Sequence, residues 1–193
     1  AGNIATDTIT VSSTSTSDST KPSGSLSINS GAAYTKSTAV TLNLSATDNV
    51  GVTGYYLSIT STTPSATATG WTSVTSTASY SAGVSYTLSS GNGNKTVYVW
   101  YKDAAGNVSA TASDSITLDT TAPAITITTP TSNATYSTTS GTISLGGSAS
   151  DSTSGVSSIT WSSDRGGSGT ASGTTAWAIS SIAFSSGSNV ITV

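Results

Sequence analysis

The sequence predicts an all-β protein built from two tandem β-sandwiches. Short stretches such as Val97, Val99 and Tyr101 alternate with other residues in the period-2 pattern of a strand with one buried face. Turn residues separate such stretches at intervals of about 8–12 residues. No stretch keeps apolar residues at helical spacing over several turns, so almost no helix is expected.

The composition is that of a folded β protein rather than of a disordered chain. Ser and Thr together make up roughly four residues in ten, well above ordinary usage. Disordered chains are poor in β-branched and aromatic residues, whereas Val, Ile, Tyr and Trp recur here at regular intervals. The net charge is −3 and no basic patch is present, so nucleic acid is not an expected partner.

Residue types that carry most catalytic chemistry are missing. His and Cys are absent and all eight acidic residues are Asp, which excludes a Ser-His-Asp triad, a cysteine nucleophile and a Cys/His zinc site. The Asp residues occur singly, mostly in turn contexts, so no catalytic residue is predicted and the chain is not expected to be an enzyme.

The start of the sequence and its hydrophobic runs bear on location. No apolar run is long enough to span a bilayer. The sequence opens on Ala1-Gly2-Asn3 without a signal peptide or an initiator Met, so we expect a mature or excised part of a longer protein.

The stretch from Lys95 to Ser109 organises the chain. It is predicted to form a strand, an Asp-Ala-Ala-Gly-Asn corner at 103–107 and the start of a second strand that ends at Leu118. Gly106 can adopt a positive φ in this corner without steric cost. Residues 1–11 repeat the corner and the last strand, because Ala-Gly-Asn is again followed by Asp-Thr-Ile-Thr-Val. They are therefore predicted to be the closing strand of a preceding or neighbouring domain.

A Ser/Thr-rich linker is predicted at 12–21, followed by a complete sandwich at 22–119. About seven short strands in about 100 residues are typical of an immunoglobulin-like sandwich. The predicted strands are Ser25–Asn29, Ala39–Ala46, Gly54–Ile59, Trp71–Val74, Val84–Leu88, Thr96–Lys102 and Ser109–Leu118.

A second immunoglobulin-like sandwich is predicted at 120–193, where the turn motif of 45–52 recurs at 148–156. Its last strand aligns with Lys95–Val99, so the sandwich lacks the corner and the last strand within this chain. The predicted strands are Ala124–Thr128, Thr142–Ala149, Val156–Ser162, Ala176–Ile182 and Asn189–Val193.

Few large residues are available to fill the cores of these sandwiches. The four Trp residues are therefore interpreted as core or corner residues rather than as a surface that stacks on sugar rings. The expected inward-facing positions are Leu42, Leu44, Ala46, Tyr55, Leu57 and Ile59, with Trp71, Tyr86 and Trp100 supplying bulk.

Several motifs together resemble a known family. Asp-Asn-Val-Gly-Val at 48–52, the corner at 103–107 and Leu-Asp-Thr-Thr-Ala-Pro at 118–123 are similar to bacterial immunoglobulin-like (Big-type) tandem repeat domains. Such repeats occur in large surface and secreted proteins, including adhesins. The second sandwich is similar to a variant found beside the catalytic domains of secreted polysaccharide-degrading enzymes.

The resemblance implies an extracellular or cell-surface protein without catalytic activity. We expect a structural segment of a bacterial fibre, stalk or adhesin, whose partners are neighbouring copies or adjacent domains of a longer chain. Surface glycans and host or cell receptors stay open as further partners. The alternative is an accessory or carbohydrate-binding module of a secreted polysaccharide-degrading enzyme, and an independent catalytic domain is a third, weaker hypothesis.

No cofactor is required by the sequence, and calcium is the one cofactor that it leaves open. Oxygen-bearing side chains lie near predicted strand ends, and Ca²⁺ binds several oxygen ligands. Asx turns explain the same residues without a metal. The candidate ligands are Asp48, Asp103, Asn107, Asp119 and Asp151.

The two ends of the chain are complementary. A sandwich without its last strand leaves unpaired backbone groups and uncovered apolar side chains, and an added strand can satisfy both. We therefore expect residues 1–11 to pair with the strand near Asn189–Val193 of a neighbouring copy, or of the preceding domain in a longer chain. The residues predicted to take part are Ile4, Ile9, Val11, Val190, Ile191 and Val193.

Overall fold

The computed structural model of the protein describes Thr8 and residues 17–193, and within these all regular secondary structure is β-strand. The all-β prediction is confirmed. Among the described residues no helix is long and apolar enough to cross a membrane. The strands are β1 (Ser23–Ile28), β2 (Tyr34–Thr35), β3 (Ala39–Ser58), β4 (Thr72–Thr87), β5 (Gly93–Asp103), β6 (Ala112–Leu118), β7 (Ala124–Thr129), β8 (Thr142–Ser150), β9 (Thr160–Ser163), β10 (Ser168–Thr170), β11 (Ala176–Ala183) and β12 (Ile191–Thr192).

Strands β1 to β6 form one six-stranded sheet, here called the N-terminal sheet. Its order is β1-β3-β5-β6-β2, and β4 pairs with β3 off this path. The antiparallel pair of β1 and β3 places Leu26 opposite Leu44 and Ile28 opposite Leu42. All four side chains are buried, because the alternation along both strands turns the same face of the sheet inward.

Strand β5 is covered on both faces, and the expectation that Trp100 supplies bulk to the core is confirmed. Val97, Val99 and Tyr101 are buried as expected, but the intervening Trp100 is fully buried as well. Its ring packs edge-on against Tyr56 at 6.2 Å and stacks with Tyr98 at 6.3 Å between centroids. Aromatic neighbours thus bury a position that the period-2 pattern assigned to the outer face.

Strand β3 continues through the turn that was predicted at 48–51. Asp48 Oδ2 accepts hydrogen bonds from the N–H groups of Val50 and Gly51, at 3.0 and 2.8 Å, so the chain bends there without leaving the strand. Gly51 has a φ of +150°, and a Cβ at this position would lie 2.3 Å from Ser76 Oγ. The inward position predicted for Ile59 is wrong: β3 ends at Ser58, and Ile59 is 67% exposed.

Other strand bounds also differ from the sequence-based ones. Strand β4 joins two predicted strands into one, because Gly83 does not interrupt it. Strands β2 and β10 were not predicted, since two or three residues are too short to show an alternating pattern.

Strands β7 to β12 form two three-stranded sheets, here called the C-terminal sheets. Their orders are β11-β8-β7 and β10-β9-β12. The core consists of Leu145, Ala149, Ile159, Trp177, Ile179 and Ile182. Trp161 of β9 and Ile191 of β12 pack against this core, so both sheets contribute to one sandwich interior.

By Cα proximity the chain divides into two compact units. The first contains Thr41–Tyr86 and Thr96–Asp114, and the second contains Ala32–Val40, Thr87–Lys95 and Ser115–Val193. The division passes through the N-terminal sheet, and the sandwich boundary predicted between residues 119 and 120 stays a prediction.

Replacing Ile116 by Ala should destabilise the protein by about 2–5 kcal/mol, because the side chain of this β6 residue is almost completely buried. The control is Ser113→Ala on the exposed part of the same strand. The free energy of unfolding is measured by chemical denaturation. Equal stability of the two variants would show that β6 does not contribute to the core.

Candidate functional site

The closing strand β6 completes the N-terminal sheet. It lies between β5 and β2, and Tyr34 of β2 is paired in parallel with Thr117. The N–H of Thr117 donates to the Ala33 carbonyl, and that of Asp119 donates to the Thr35 carbonyl. The side chain of Ile116 is 1% exposed, and that of Leu118 is fully buried. Strand β6 therefore supplies both backbone pairing and apolar cover.

The C-terminal part of the chain contains counterparts of the two segments that flank β6 in the N-terminal sheet. Strand β12 corresponds to β5, since Thr192 pairs with Ser162 of β9 as Tyr98 pairs with Ser58 of β3. Ser132-Asn-Ala-Thr-Tyr136 is similar to Ser30-Gly-Ala-Ala-Tyr34, and Tyr34 begins β2. Within residues 17–193, however, β12 has only β9 as a neighbour, and no strand lies on its other side.

An open groove lies beside β12, on the side where β6 lies beside β5 in the N-terminal sheet. It has a volume of about 620 Å³ and runs between the segment around Tyr136 and β12. Its apolar lining residues are Ile127, Ile143, Leu145, Phe184, Val190 and Ile191. The groove therefore lies between the counterparts of β2 and β5, where β6 is found in the N-terminal sheet.

Apolar side chains at the groove are more exposed than their counterparts in the N-terminal sheet. Leu26 of β1 is 8% exposed, whereas the corresponding Ile127 of β7 is 37% exposed. Val97 of β5 is fully buried, whereas Ile191 of β12 is half-buried. Among the described residues no strand covers these side chains as β6 covers the interior of the N-terminal sheet, and further burial of them would be favourable.

The residues predicted to take part in strand pairing fall into two sets. Ile191 and Val193 pack against the core of the C-terminal sheets. Val190 is 59% exposed and lines the groove, and its N–H donates to Asp164 Oδ1 at 2.8 Å. The other set, Ile4, Ile9 and Val11, lies outside the described residues.

A cluster of three carboxylates lies elsewhere, at the N-terminal sheet. Asp18, Asp48 and Asp103 each place one oxygen within 4.8 Å of the others. Asn107 donates through Nδ2 to Asp103 Oδ2 at 2.7 Å and to the Asp18 carbonyl at 3.0 Å. Three of the predicted calcium ligands, Asp48, Asp103 and Asn107, are thus brought together.

Asp119 and Asp151 are not part of this cluster. Asp119 follows β6, and its Oδ1 accepts hydrogen bonds from Asn92 Nδ2 and the Thr121 N–H at 2.9 and 3.0 Å. Asp151 follows β8, and its Oδ1 accepts from three successive backbone N–H groups, those of residues 153–155.

Asp18 was missed by the sequence-based reasoning, although the repeat pattern points to it. Asp18-Ser-Thr-Lys-Pro22 has the same pattern as Asp119-Thr-Thr-Ala-Pro123, in which Asp119 was selected. The Ser/Thr-rich context concealed this match, because 12–21 was interpreted as linker alone.

Two of these carboxyl groups have a lowered pKa. The pKa of Asp18 is lowered chiefly by the hydrogen bond from the Thr20 N–H, against desolvation, and further by the hydrogen bond from Asn49. The pKa of Asp151 is lowered chiefly by the N–H groups of Thr153 and Ser154, with Asp119 among its other neighbours. Both groups favour the ionised form in the folded protein.

Comparison with known proteins identifies the family of the C-terminal part. The fold there is a two-sheet sandwich of short strands, and the model of the bacterial Ig domain family matches residues 123–193. The match supports a bacterial immunoglobulin-like domain in this part of the chain. No curated protein and no solved structure matches the chain.

Asp151→Ala should destabilise the C-terminal sheets at neutral pH, because three backbone N–H groups lose their acceptor. Since the folded pKa lies below 3.8, the ionised carboxylate stabilises the fold above that value and the effect is lost as the pH falls through the folded pKa. The free energy of unfolding of the wild type and of Asp151→Ala is measured by chemical denaturation from pH 7 to pH 2. Asp151→Asn, which keeps an acceptor oxygen, should be milder, and a loss that does not change with pH would contradict the assignment.

Proposed function

We propose that the chain is a non-catalytic structural segment of an extracellular bacterial fibre, stalk or adhesin, joined head to tail by strand addition. In this arrangement residues 1–11 of one copy enter the groove beside β12 of a neighbouring copy, or of the preceding domain in a longer chain. The observation that carries the proposal is the open groove at the place that β6 fills in the N-terminal sheet.

The sequence of the donor segment supports this pairing. Asp7-Thr8-Ile9-Thr10-Val11 matches Asp114-Ser115-Ile116-Thr117-Leu118 of β6 position by position. Ile116 and Leu118 are the two residues that β6 buries most completely. Ile9 and Val11 are the corresponding residues of the donor, and they have the β-branched shape that suits a strand in a sheet.

The chemistry of the groove also suits a strand. One wall is an edge strand whose outer side has no partner among the described residues, and an extended peptide can add to such an edge through backbone hydrogen bonds. The apolar floor provides places for alternate side chains of that peptide.

Repeated contacts of this kind produce a filament. The donor and the groove are different surfaces of the same chain, so the contact is heterologous. A heterologous contact that does not close into a ring continues as a linear array. A long array of hydroxyl-rich sandwiches without a catalytic centre is suited to a stalk or a fibre.

The alternative of a carbohydrate-binding module has weaker support. Trp100 and Trp177 are buried, and Trp71 is half-buried with Lys102 Nζ 4.8 Å from its ring centroid. Trp161 packs against the core of the C-terminal sheets. The Trp rings therefore serve packing in the described part of the chain, and none forms an exposed platform for a sugar ring.

Changing Ile9 to Asp should abolish assembly of the full chain, because a charged side chain would have to enter an apolar groove. Light scattering and electron microscopy of the wild type and of Ile9→Asp measure assembly at matched concentrations. The matched control is Thr10→Asp, which introduces the same charge at the adjacent position. In the proposed strand this position would face outward by alternation, so the variant should assemble as the wild type does.

A synthetic peptide of residues 1–11 separates the two possible sources of the strand. If separate subunits polymerise, the peptide should cap the groove, shorten the filaments and raise the unfolding temperature. If the wild type stays monomeric but binds the peptide, the strand is supplied within a longer chain. A wild type that neither assembles nor binds the peptide would contradict strand addition.

A further inference from the structure

We propose that the outer edge of β4 pairs with the same edge of a second copy of this chain, in an antiparallel arrangement centred on Gly83. Strand β4 has 16 residues, from Thr72 to Thr87. Its partner in the N-terminal sheet is β3, and within residues 17–193 no strand lies on its other side. Strand β4 thus presents a long row of backbone N–H and C=O groups to which a further strand can bind.

The outer edge of β4 lacks the features that usually prevent two edges from pairing. Charged side chains and Pro are common among these features. Strand β4 contains neither, and no charged residue occurs anywhere between Asp48 and Lys95. Two identical charged edges would bring like charges together, and like charges directly opposite each other destabilise a pair of strands. The uncharged edge of β4 therefore permits the approach of a second copy.

The second half of β4 is the part that suits pairing. Thr77 Oγ1 donates to the Ser79 carbonyl at 2.9 Å and accepts from the N–H of the same residue at 3.4 Å, so the chain makes a local side-chain contact there. From Ser79 to Tyr86 exposed and half-buried residues alternate without exception. This even alternation is that of a regular pleated strand, which offers a straight edge.

The sequence of this half is self-complementary. It reads Tyr-Ser-Ala-Gly-Val-Ser-Tyr from 80 to 86, so Gly83 is flanked on each side by an apolar residue, then by Ser and then by Tyr. In an antiparallel pair centred on Gly83, position 81 of one copy faces position 85 of the other, and position 80 faces position 86. Similar residues therefore meet on both faces of the pair, as an isologous contact with twofold symmetry requires.

The Tyr residues add side-chain contacts on the half-buried face. The Tyr80 ring stacks with Tyr55 at 6.0 Å and lies 6.5 Å from the Tyr101 ring between centroids. In the proposed pair, Tyr86 of the second copy lies opposite Tyr80, and symmetry repeats this contact. Aromatic cross-strand pairs stabilise antiparallel sheets. The pair would therefore extend an aromatic cluster that is already formed within one chain.

The fold of the single chain does not require Gly at position 83. The φ of Gly83 is not positive, and a Cβ there would meet only Thr41 Cγ2, at an ordinary contact distance of 3.5 Å. Gly weakens the interior of a strand and often marks a place where another backbone approaches closely. At the centre of the proposed pair the two Gly83 residues face each other, and this close approach explains why Gly stands there.

The first test is site-specific cross-linking of the full chain, which contains no native Cys. Ser81→Cys and Ser85→Cys change exposed side chains, so both variants are expected to fold. Under mild oxidation a mixture of the two should form a disulfide-linked dimer, because residues directly opposite each other are close enough to be bridged. Either variant alone should not, since its two Cys residues would lie about 14 Å apart along the paired strands.

The control for random collisions is Ser113→Cys, an exposed position on β6. Its rate of cross-linking sets the background for the mixture of Ser81→Cys and Ser85→Cys. Far-UV circular dichroism verifies the fold of each variant.

A second test uses charge and needs no covalent bond. The double variant Ser81→Lys, Ser85→Lys places Lys side chains opposite each other twice and should weaken dimerisation at least tenfold. The double variant Ser81→Lys, Ser85→Asp places opposite charges across the pair and should dimerise at least as tightly as the unmodified edge. Analytical ultracentrifugation measures dimerisation of both in the Ile9→Asp chain, in which head-to-tail assembly is expected to be absent.

Three results would overturn the proposal. One is cross-linking of the mixture at no more than the rate of Ser113→Cys. Another is cross-linking of Ser81→Cys with itself as fast as with Ser85→Cys, which would indicate a parallel or unspecific contact. The third is equal dimerisation of the two charged double variants. The contact uses β4 and not the groove beside β12, so the cross-link is expected in the wild-type background and in Ile9→Asp alike. Failure of strand addition at the groove would leave this test unaffected.

Discussion

The N-terminal sheet depends on β6, the strand placed between β5 and β2. In the N-terminal sheet β6 takes this place, pairs with both neighbours and covers the interior with Ile116 and Leu118. An antiparallel edge with apolar side chains beneath it is an unstable arrangement, because both its backbone groups and its apolar surface lack partners. The groove beside β12 has this character among the described residues, and the strand addition proposed above would satisfy the same physical requirement that β6 satisfies in the N-terminal sheet.

The scarcity of large apolar residues makes each of these contacts more important. Much of the chain is Ser, Thr and Gly, and aromatic residues make up only 7% of it. The interior of the N-terminal sheet therefore depends on a few rings, with Trp100 held between Tyr56 and Tyr98. A polar contact also stabilises this interior, because the hydroxyl of the buried Tyr101 donates to the Ser25 carbonyl at 2.6 Å. Burial raises the pKa of that hydroxyl.

The carboxylates show how turn chemistry and ligand chemistry share residues. One oxygen of Asp48 and one of Asp151 stabilise a bend by accepting backbone N–H groups, as Asx turns do. That role explains why Asp stands at these positions, but it uses only one oxygen of each carboxylate. The turn interpretation and the metal interpretation of these residues are therefore compatible, because they concern different oxygens.

The sequence by itself predicted the all-β class and most of the strands, because alternation and turn residues are local signals. The complementary ends stay a prediction. The sequence identified Asp48, Asp103 and Asn107 individually, but it did not bring Asp18 to them. Only the tertiary structure decided that juxtaposition, since a strand pattern does not state which distant residues meet at a sheet end. It also decided the exposure of Ile59, because that depends on where β3 ends rather than on local sequence.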